Sequence, residues 1–313
     1  MLPLYRRGLG CQENRGEIGL WLRGRTGGTV SESAFIANGR HGVLVDAQAQ
    51  PTLEGNVFRE NDWSGIAYWG SAAGLARNNN SSRNAYYGIS VGEQAQPRLD
   101  GNTRRGNGRC GIAYFGSAAG EARQNTCRRN VLDGIYVGKQ AQPTLEGNTC
   151  DRNKQNGIAY VGSAAGEARQ NTCGGNACQG IYVGEQAQPT LEGNTCNGNK
   201  GAGIAYFGSA YGVARNNTCS GNAYHGIQVD EQAQPTLERN VCKENKRYGI
   251  AYFGSAGGEA RHNICIGNGR HGIYVAPTAQ PIEEDNRCDE NSARAVNDQH
   301  GQQKHVSMHH HQP

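Results

Sequence analysis

An all-β solenoid, in which one chain coils on itself once per short repeat unit, is the fold this sequence predicts, and three observations predict it. A glycine followed by Leu, Val or Ile recurs at every twenty-third position, at Gly42, Gly65, Gly88, Gly111 and onward to Gly272. Gly19-Leu20 extends the series backward, so twelve units follow one another without an insertion. Within a unit the apolar residues lie two apart, as Ile135 and Val137 do, and Leu145 stands between Thr144 and Glu146; period two is the strand period. Finally, 47 of the 313 residues are glycine and only 36% are hydrophobic, which suits short strands broken by turns and not helices.

Each alternative fails on a named feature. No apolar run approaches the ~18 residues of a membrane span, and the glycines do not recur every third residue as in collagen. Helical repeats are longer than this unit, and the Leu-x-x-Leu-x-Leu frame of leucine-rich repeats is absent. Short strands stacked on copies of themselves make a parallel β-helix. With neighbouring strands about 4.8 Å apart, twelve coils form a rod about 58 Å long. The body runs from 19 to 291. Residues 1–18 read as a lead or partial coil, and the polar stretch 292–313, with His309-His310-His311, reads as a disordered tail.

The units alternate between Gly-Ile-Ala-Tyr-Phe-Gly-Ser, as from Gly111, and Gly-Ile-Tyr-Val-Gly-Lys-Gln, as from Gly134. The superperiod is therefore two units long. Equivalent positions become neighbours, so ladders can be read directly. Asparagine occupies every twenty-third position from Asn56 to Asn286 and from Asn38 to Asn291. Its amide can donate to one neighbour and accept from the other, and it tolerates left-handed turn angles; binding of sugar hydroxyls is the functional alternative. Cysteine occupies the column from Cys127 to Cys288, with Phe35, Phe58, Ser81 and Arg104 before it. One cysteine per coil does not converge on a metal, and the ~4.8 Å spacing exceeds the ~3.8 Å between disulfide Cβ atoms. Reduced, packed thiols are expected, with Arg104 awkward for a buried site. A third ladder alternates in charge from Arg77, Asp100 and Arg123 to Arg261 and Glu284, which offers one reason for the doubled period.

On the strand after each unit glycine, Tyr136 should face outward if Ile135 and Val137 face inward, and Phe115 and Phe207 follow the same parity. The candidate binding residues are this aromatic file, Phe115, Tyr136, Tyr182 and Phe207, together with a basic edge, Arg128, Arg129, Arg152 and Lys154. Exposed rings suit sugar faces or a protein surface, and a basic edge suits an anionic glycan; large residues beside small ones, and solvated turns, are the structural alternatives. Tyr68, Tyr114, Tyr160, Tyr206 and Tyr252 replace an inward valine and read as core.

The run from Gly180 to Cys196, Gly-Ile-Tyr-Val-Gly-Glu-Gln-Ala-Gln-Pro-Thr-Leu-Glu-Gly-Asn-Thr-Cys, resembles the right-handed parallel β-helix repeats of the pectin-lyase-like superfamily, of the NosD and carbohydrate-binding sugar-hydrolase type. The resemblance covers about Gly19 to Asn291 and implies a right-handed coil. It is specific for the fold and not for function, because the superfamily includes pectate lyases, polygalacturonases, alginate epimerases and many proteins without known activity. Enzymes of this kind are expected to gather Asp, Arg or Lys on adjacent coils beneath long loops. Here no loop is long, and the Asp-Pro-His-Asp motif expected of alginate epimerases is absent. Glu93, Lys139, Glu185 and Glu231 alternate with glycine-bearing coils, about 10 Å apart along the axis, and Asp46 and Asp230 lie eight coils apart. No catalytic residue, metal ligand or cofactor is assigned.

The expected role is a non-catalytic solenoid scaffold that binds a glycan or a protein on its regular faces; the alternative is a polysaccharide-active lyase, epimerase or hydrolase. No nucleic-acid motif or membrane span is expected, and uncapped ends favour end-to-end self-association. No apolar stretch follows the charges near Met1, so no signal peptide is read, and reduced thiols favour a reducing compartment such as the cytoplasm.

Overall fold

The computed structural model describes residues 4–14, 16–292 and 296–297. The stretch expected to be a disordered tail lies almost wholly outside the described residues. The chain winds through three parallel sheets of thirteen strands each. The first sheet holds Leu4–Arg7, Gly28–Ser31, Thr52–Glu54 and their equivalents to Ile282–Glu284. The second runs from Gly10–Gln12 and Ala34–Ile36 to Arg287–Asp289, and the third from Leu20–Leu22 and Val43–Val45 to Val296–Asn297. Pairing steps by one repeat unit, as in Ile135 to Ile158, Cys150 to Cys173 and Glu146 to Arg169. The lead contributes a strand to each of the first two sheets, with one extra residue: Leu4 pairs with Gly28 and Cys11 with Phe35. No helix long and apolar enough to cross a membrane occurs among the described residues.

The unit glycine is required by space. Its φ is not left-handed at Gly157, but a Cβ there would lie 2.5 Å from the Gly180 carbonyl oxygen and 2.8 Å from Cys173 Cβ. The left-handed angles fall elsewhere. One set belongs to the residue before each ladder asparagine, for example Gly147 and Gln170 before Asn148 and Asn171, with φ of 61° and 55°; another lies in the turn after the third sheet, as at Glu93 and Lys139. This corrects the expectation that the ladder asparagines themselves take the turn. Freed from that task, each asparagine turns inward and satisfies itself. Asn171 Nδ2 donates to Asn194 Oδ1 (2.9 Å) and to the Leu145 carbonyl (3.0 Å), while Asn171 Oδ1 accepts from Asn148 N and Nδ2, both at 2.9 Å. The second ladder repeats the pattern, as at Asn176 and Asn199.

The doubled period has its main physical cause inside the rod. In one coil Tyr160 and Ala168 face the interior, and in the next Val183 and Leu191 do; all four are fully buried. Large with small alternates with two of middle size, so every coil fills about the same lumen. Interiors are packed densely enough that mismatched volume is costly in either direction. Outside, the charge ladder is paired, with Arg169 3.2 Å from Glu146, Arg215 2.9 Å from Glu192 and Arg77 2.8 Å from Glu54. Exposed pairs of this kind add a few tenths of a kcal/mol each, so volume outweighs charge in setting the alternation.

The eleven cysteines are free thiols. Those of the column are buried, and Phe35 stacks on Phe58 at 5.1 Å where the column begins. Contact with the neighbouring thiols, reinforced by burial, holds Cys150 well above the ordinary thiol range. Thiol titration of the folded protein is therefore expected to detect Cys11 and Cys178, which are half-buried, and to reach eleven groups only in denaturant. Four or more intact disulfides in the native protein would overturn that expectation.

A candidate aromatic groove on the third sheet

The outward face of the third sheet is a file of side chains that alternate in size. Tyr136 and Tyr182 stand beside coils that carry alanine, and their side chains fold back across Gly138 and Gly184, where an added Cβ would meet the tyrosine at 2.5 Å. In the coil after Gly88 the file is interrupted: Ser90 stands where the alternation calls for tyrosine. The missing ring leaves a groove of about 440 Å³ between Trp69 and Phe115, with Ser90 and Gly92 as its floor. Trp63, Tyr86 and Tyr87, from the connection between the second and third sheets, form one wall. Glu93, Gly116 and Lys139, from the turn that follows the third sheet, form the other.

The wall is a continuous run of rings. Centroid separations are 5.1 Å from His41 to Trp63, 6.4 Å to Tyr86, 6.2 Å to Tyr87, 5.4 Å to Phe115 and 5.4 Å to Tyr136. Arg40 lies 5.6 Å over Trp63 and Arg109 4.7 Å over Tyr86, which adds positive charge beside the rings. His41 accepts a hydrogen bond from the Ser64 N–H at Nδ1 (3.3 Å). Burial pushes its pKa down to about 4, so near neutral pH it is the neutral imidazole with its proton on Nε2. Glu93 accepts from the Gly70 N–H at 2.9 Å, and the Ser64 and Ser90 hydroxyls are bonded at 3.1 Å.

Six coils further on the file is interrupted again, by Gln228, with Asp230 at the adjoining site normally held by glycine. Aromatic residues again gather at the same edge. Tyr248 stacks on Tyr274 at 4.6 Å and on His225 at 5.2 Å, while Arg247 lies 4.4 Å over Tyr224 and Arg270 5.8 Å over Tyr248. Burial, and then repulsion from Arg247 and Arg270, lowers the His225 pKa to about 4. In this cluster Gln228 and Asp230 bond to each other at 3.1 Å.

The residues picked from the sequence are divided by this geometry. Phe115 lines the groove and Tyr136 contacts it, whereas Tyr182 and Phe207 form a separate pair at 5.7 Å, beyond Val161. The basic residues lie apart from the groove: Arg128, on the outward face of the second sheet, pairs with Asp151 at 2.9 Å. Arg152 reaches the same carboxylate at 3.9 Å, Arg129 and Arg152 occupy left-handed turns, and Lys154 is exposed. Trp69 belongs by strand parity to the same outward series as Phe115 and Phe207, whereas sequence reasoning passed over Trp63, Tyr86, Tyr87 and His41. The available signal was the coincidence of aromatic residues on the variable edge with the one coil whose outward tyrosine is replaced by serine.

No curated protein matches this sequence. Among solved structures, the periplasmic alginate epimerase AlgG superposes with a TM-score of 0.62 at 14% identity, over 90% of this chain and 67% of that one. The A-module of the Azotobacter vinelandii mannuronan C-5 epimerase AlgE4 gives 0.54 at 15% identity, over 87% and 89%. The Agl-KA catalytic domain gives 0.56 at 10%, over 87% and 62%. At these identities the likeness is one of fold. Residues 11–150, 70–195 and 133–292 match the model of the right-handed beta helix region; with its coils, registers and ladders now described, the chain belongs to that family.

Proposed function

We propose that this protein is a non-catalytic β-solenoid that holds an extended acidic polysaccharide along the outward face of its third sheet. The observation that carries the reading is the groove opened by Ser90 and walled by aromatic rings. Sugar rings present apolar C–H faces that pack on aromatic faces, and a pocket of apolar walls with a few polar groups is the usual form of a ligand site. Arg40, Arg109 and Lys139 supply positive charge around it, and Arg247 and Arg270 do so at the second cluster. Two clusters six coils apart, about 29 Å along the axis, suit one long chain engaged at both, which raises avidity without new contacts. Two of the structural neighbours are named as epimerases of alginate or mannuronan, which supports an acidic polysaccharide as ligand.

The alternative is a lyase or epimerase, and one observation favours it: Glu93 and Lys139 line the same groove. The two readings part in one experiment. Alginate and pectate are presented to the protein, and both retention and chemical change, as unsaturated ends or altered uronate composition, are measured. The proposal expects retention with unchanged polymer. Trp63→Ala combined with Phe115→Ala is expected to weaken binding at least tenfold, about 1.4 kcal/mol, with a stability loss of about 1 kcal/mol because these rings are partly exposed. Turnover abolished by Lys139→Ala would replace the proposal with the enzymatic reading; equal binding by the double variant would reject the groove.

A further inference from the structure

We propose that the interior of the solenoid, beneath the groove, binds a small monovalent anion of the halide class at Arg104. This residue sits at the centre of its strand in the second sheet, in the inward column that is cysteine from Cys127 onward, with Ser81 and Cys127 as its neighbours in register. It is fully buried. Its Nε and both terminal nitrogens have no hydrogen-bond partner, and no ion pair to it exists among the described residues. An unpaired buried charge is among the least favourable arrangements a protein interior can hold.

Further donors stand on the coils beside Arg104. Arg104 is level with Gly88, where an added Cβ would lie 2.7 Å from Arg104 Cδ, and so with the strand Ile89–Val91. The coils on either side place Tyr68 and Tyr114 at the position of Val91, so the smaller valine separates two inward tyrosines at the arginine's level. The hydroxyls of Tyr68, Tyr114 and Ser81 are buried and have no partner. Burial raises both phenols above their ordinary value while the arginine charge pulls them back, which places that charge within reach of both. Burial lowers the Arg104 pKa to about 10, so the cation persists at neutral pH. The inward positions nearby, Val91, Leu99 and Ala122, are apolar and buried. Unpartnered inward tyrosine hydroxyls recur at Tyr160, Tyr206 and Tyr252, so what sets this level apart is the unpaired cation with no ion pair, which matches a single small anion to which nearby hydroxyls can also donate. Ser90 of the same strand forms the groove floor, so the occupied site would brace the groove from below.

The test uses the full chain. Its thermal midpoint is followed as chloride or bromide replaces gluconate at constant ionic strength, and crystals grown in bromide are examined for anomalous scattering. The expected result is a saturable rise of several degrees and a bromide peak beside Arg104. Arg104→Cys, which restores the residue of the column, and Arg104→Met are both expected to lose the halide response. Absence of the peak, or a halide response equal in parent and variants, overturns the proposal. A peak absent because the Cys127 thiolate balances the arginine counts equally against it. The outcome is independent of glycan binding, which is measured separately.

Discussion

Gly157→Ala is expected to destabilise the protein by more than about 3 kcal/mol, at the upper end of overpacking effects. The new methyl would stand 2.5 Å from the Gly180 carbonyl oxygen and 2.8 Å from Cys173 Cβ. Both belong to backbone or to the root of a side chain and cannot swing aside. Relief requires the coil to part from its neighbour, which loosens ladder hydrogen bonds on both sides. The control is Gly147→Ala. Gly147 has φ of 61°, and its nearest neighbour is Gln124 Cγ at 3.8 Å. There only the left-handed angle costs, about 1 kcal/mol, and equivalent turns already hold Gln124, Gln170 and Arg239. Denaturant midpoints should rank the two in that order; equal losses would show that dihedral strain, and not close approach, explains the repeating glycine.

Asn171→Ala is expected to cost about 3–6 kcal/mol, from buried polar groups stranded at about 1–3 kcal/mol each. The substitution removes the acceptor of Asn148 N and Nδ2 and the donor to the Leu145 carbonyl. Asn286→Ala, at the far end of the same ladder, is expected to cost less. Asn286 also accepts from Asn263 N and Nδ2 and donates to the Ala260 carbonyl, but it is half-buried, so the groups it would strand lie closer to water. A mid-ladder loss no larger than the terminal one, measured by equilibrium unfolding, would reject the view that the ladder holds the coils together by satisfying buried amides.

Because neighbours in space are a constant step apart in sequence, much of the packing was legible before any coordinates. The coil length, the two asparagine ladders, the paired charges and the reduced cysteine column follow from counting along the chain. Each depends only on which residue recurs at a fixed step, and parallel in-register pairing converts that step into contact. The outward placement of Tyr136 and the inward placement of Tyr114 follow from strand parity in the same way.

What only the tertiary structure decided involves several columns at once. Counting along one column could not show that Tyr160 is balanced by Ala168 across the lumen, because the two lie on different sheets and share only a volume. Nor could it show that the left-handed angle falls one residue before each ladder asparagine, since backbone angles are set by how the turn joins two sheets. The groove is the clearest case. Ser90 is an unremarkable serine until Trp63, Tyr86 and Tyr87 arrive from a neighbouring edge to wall the space it leaves. A one-dimensional repeat encodes what stacks along the axis; what meets around the circumference depends on side-chain size and direction, which only the closed coil brings together.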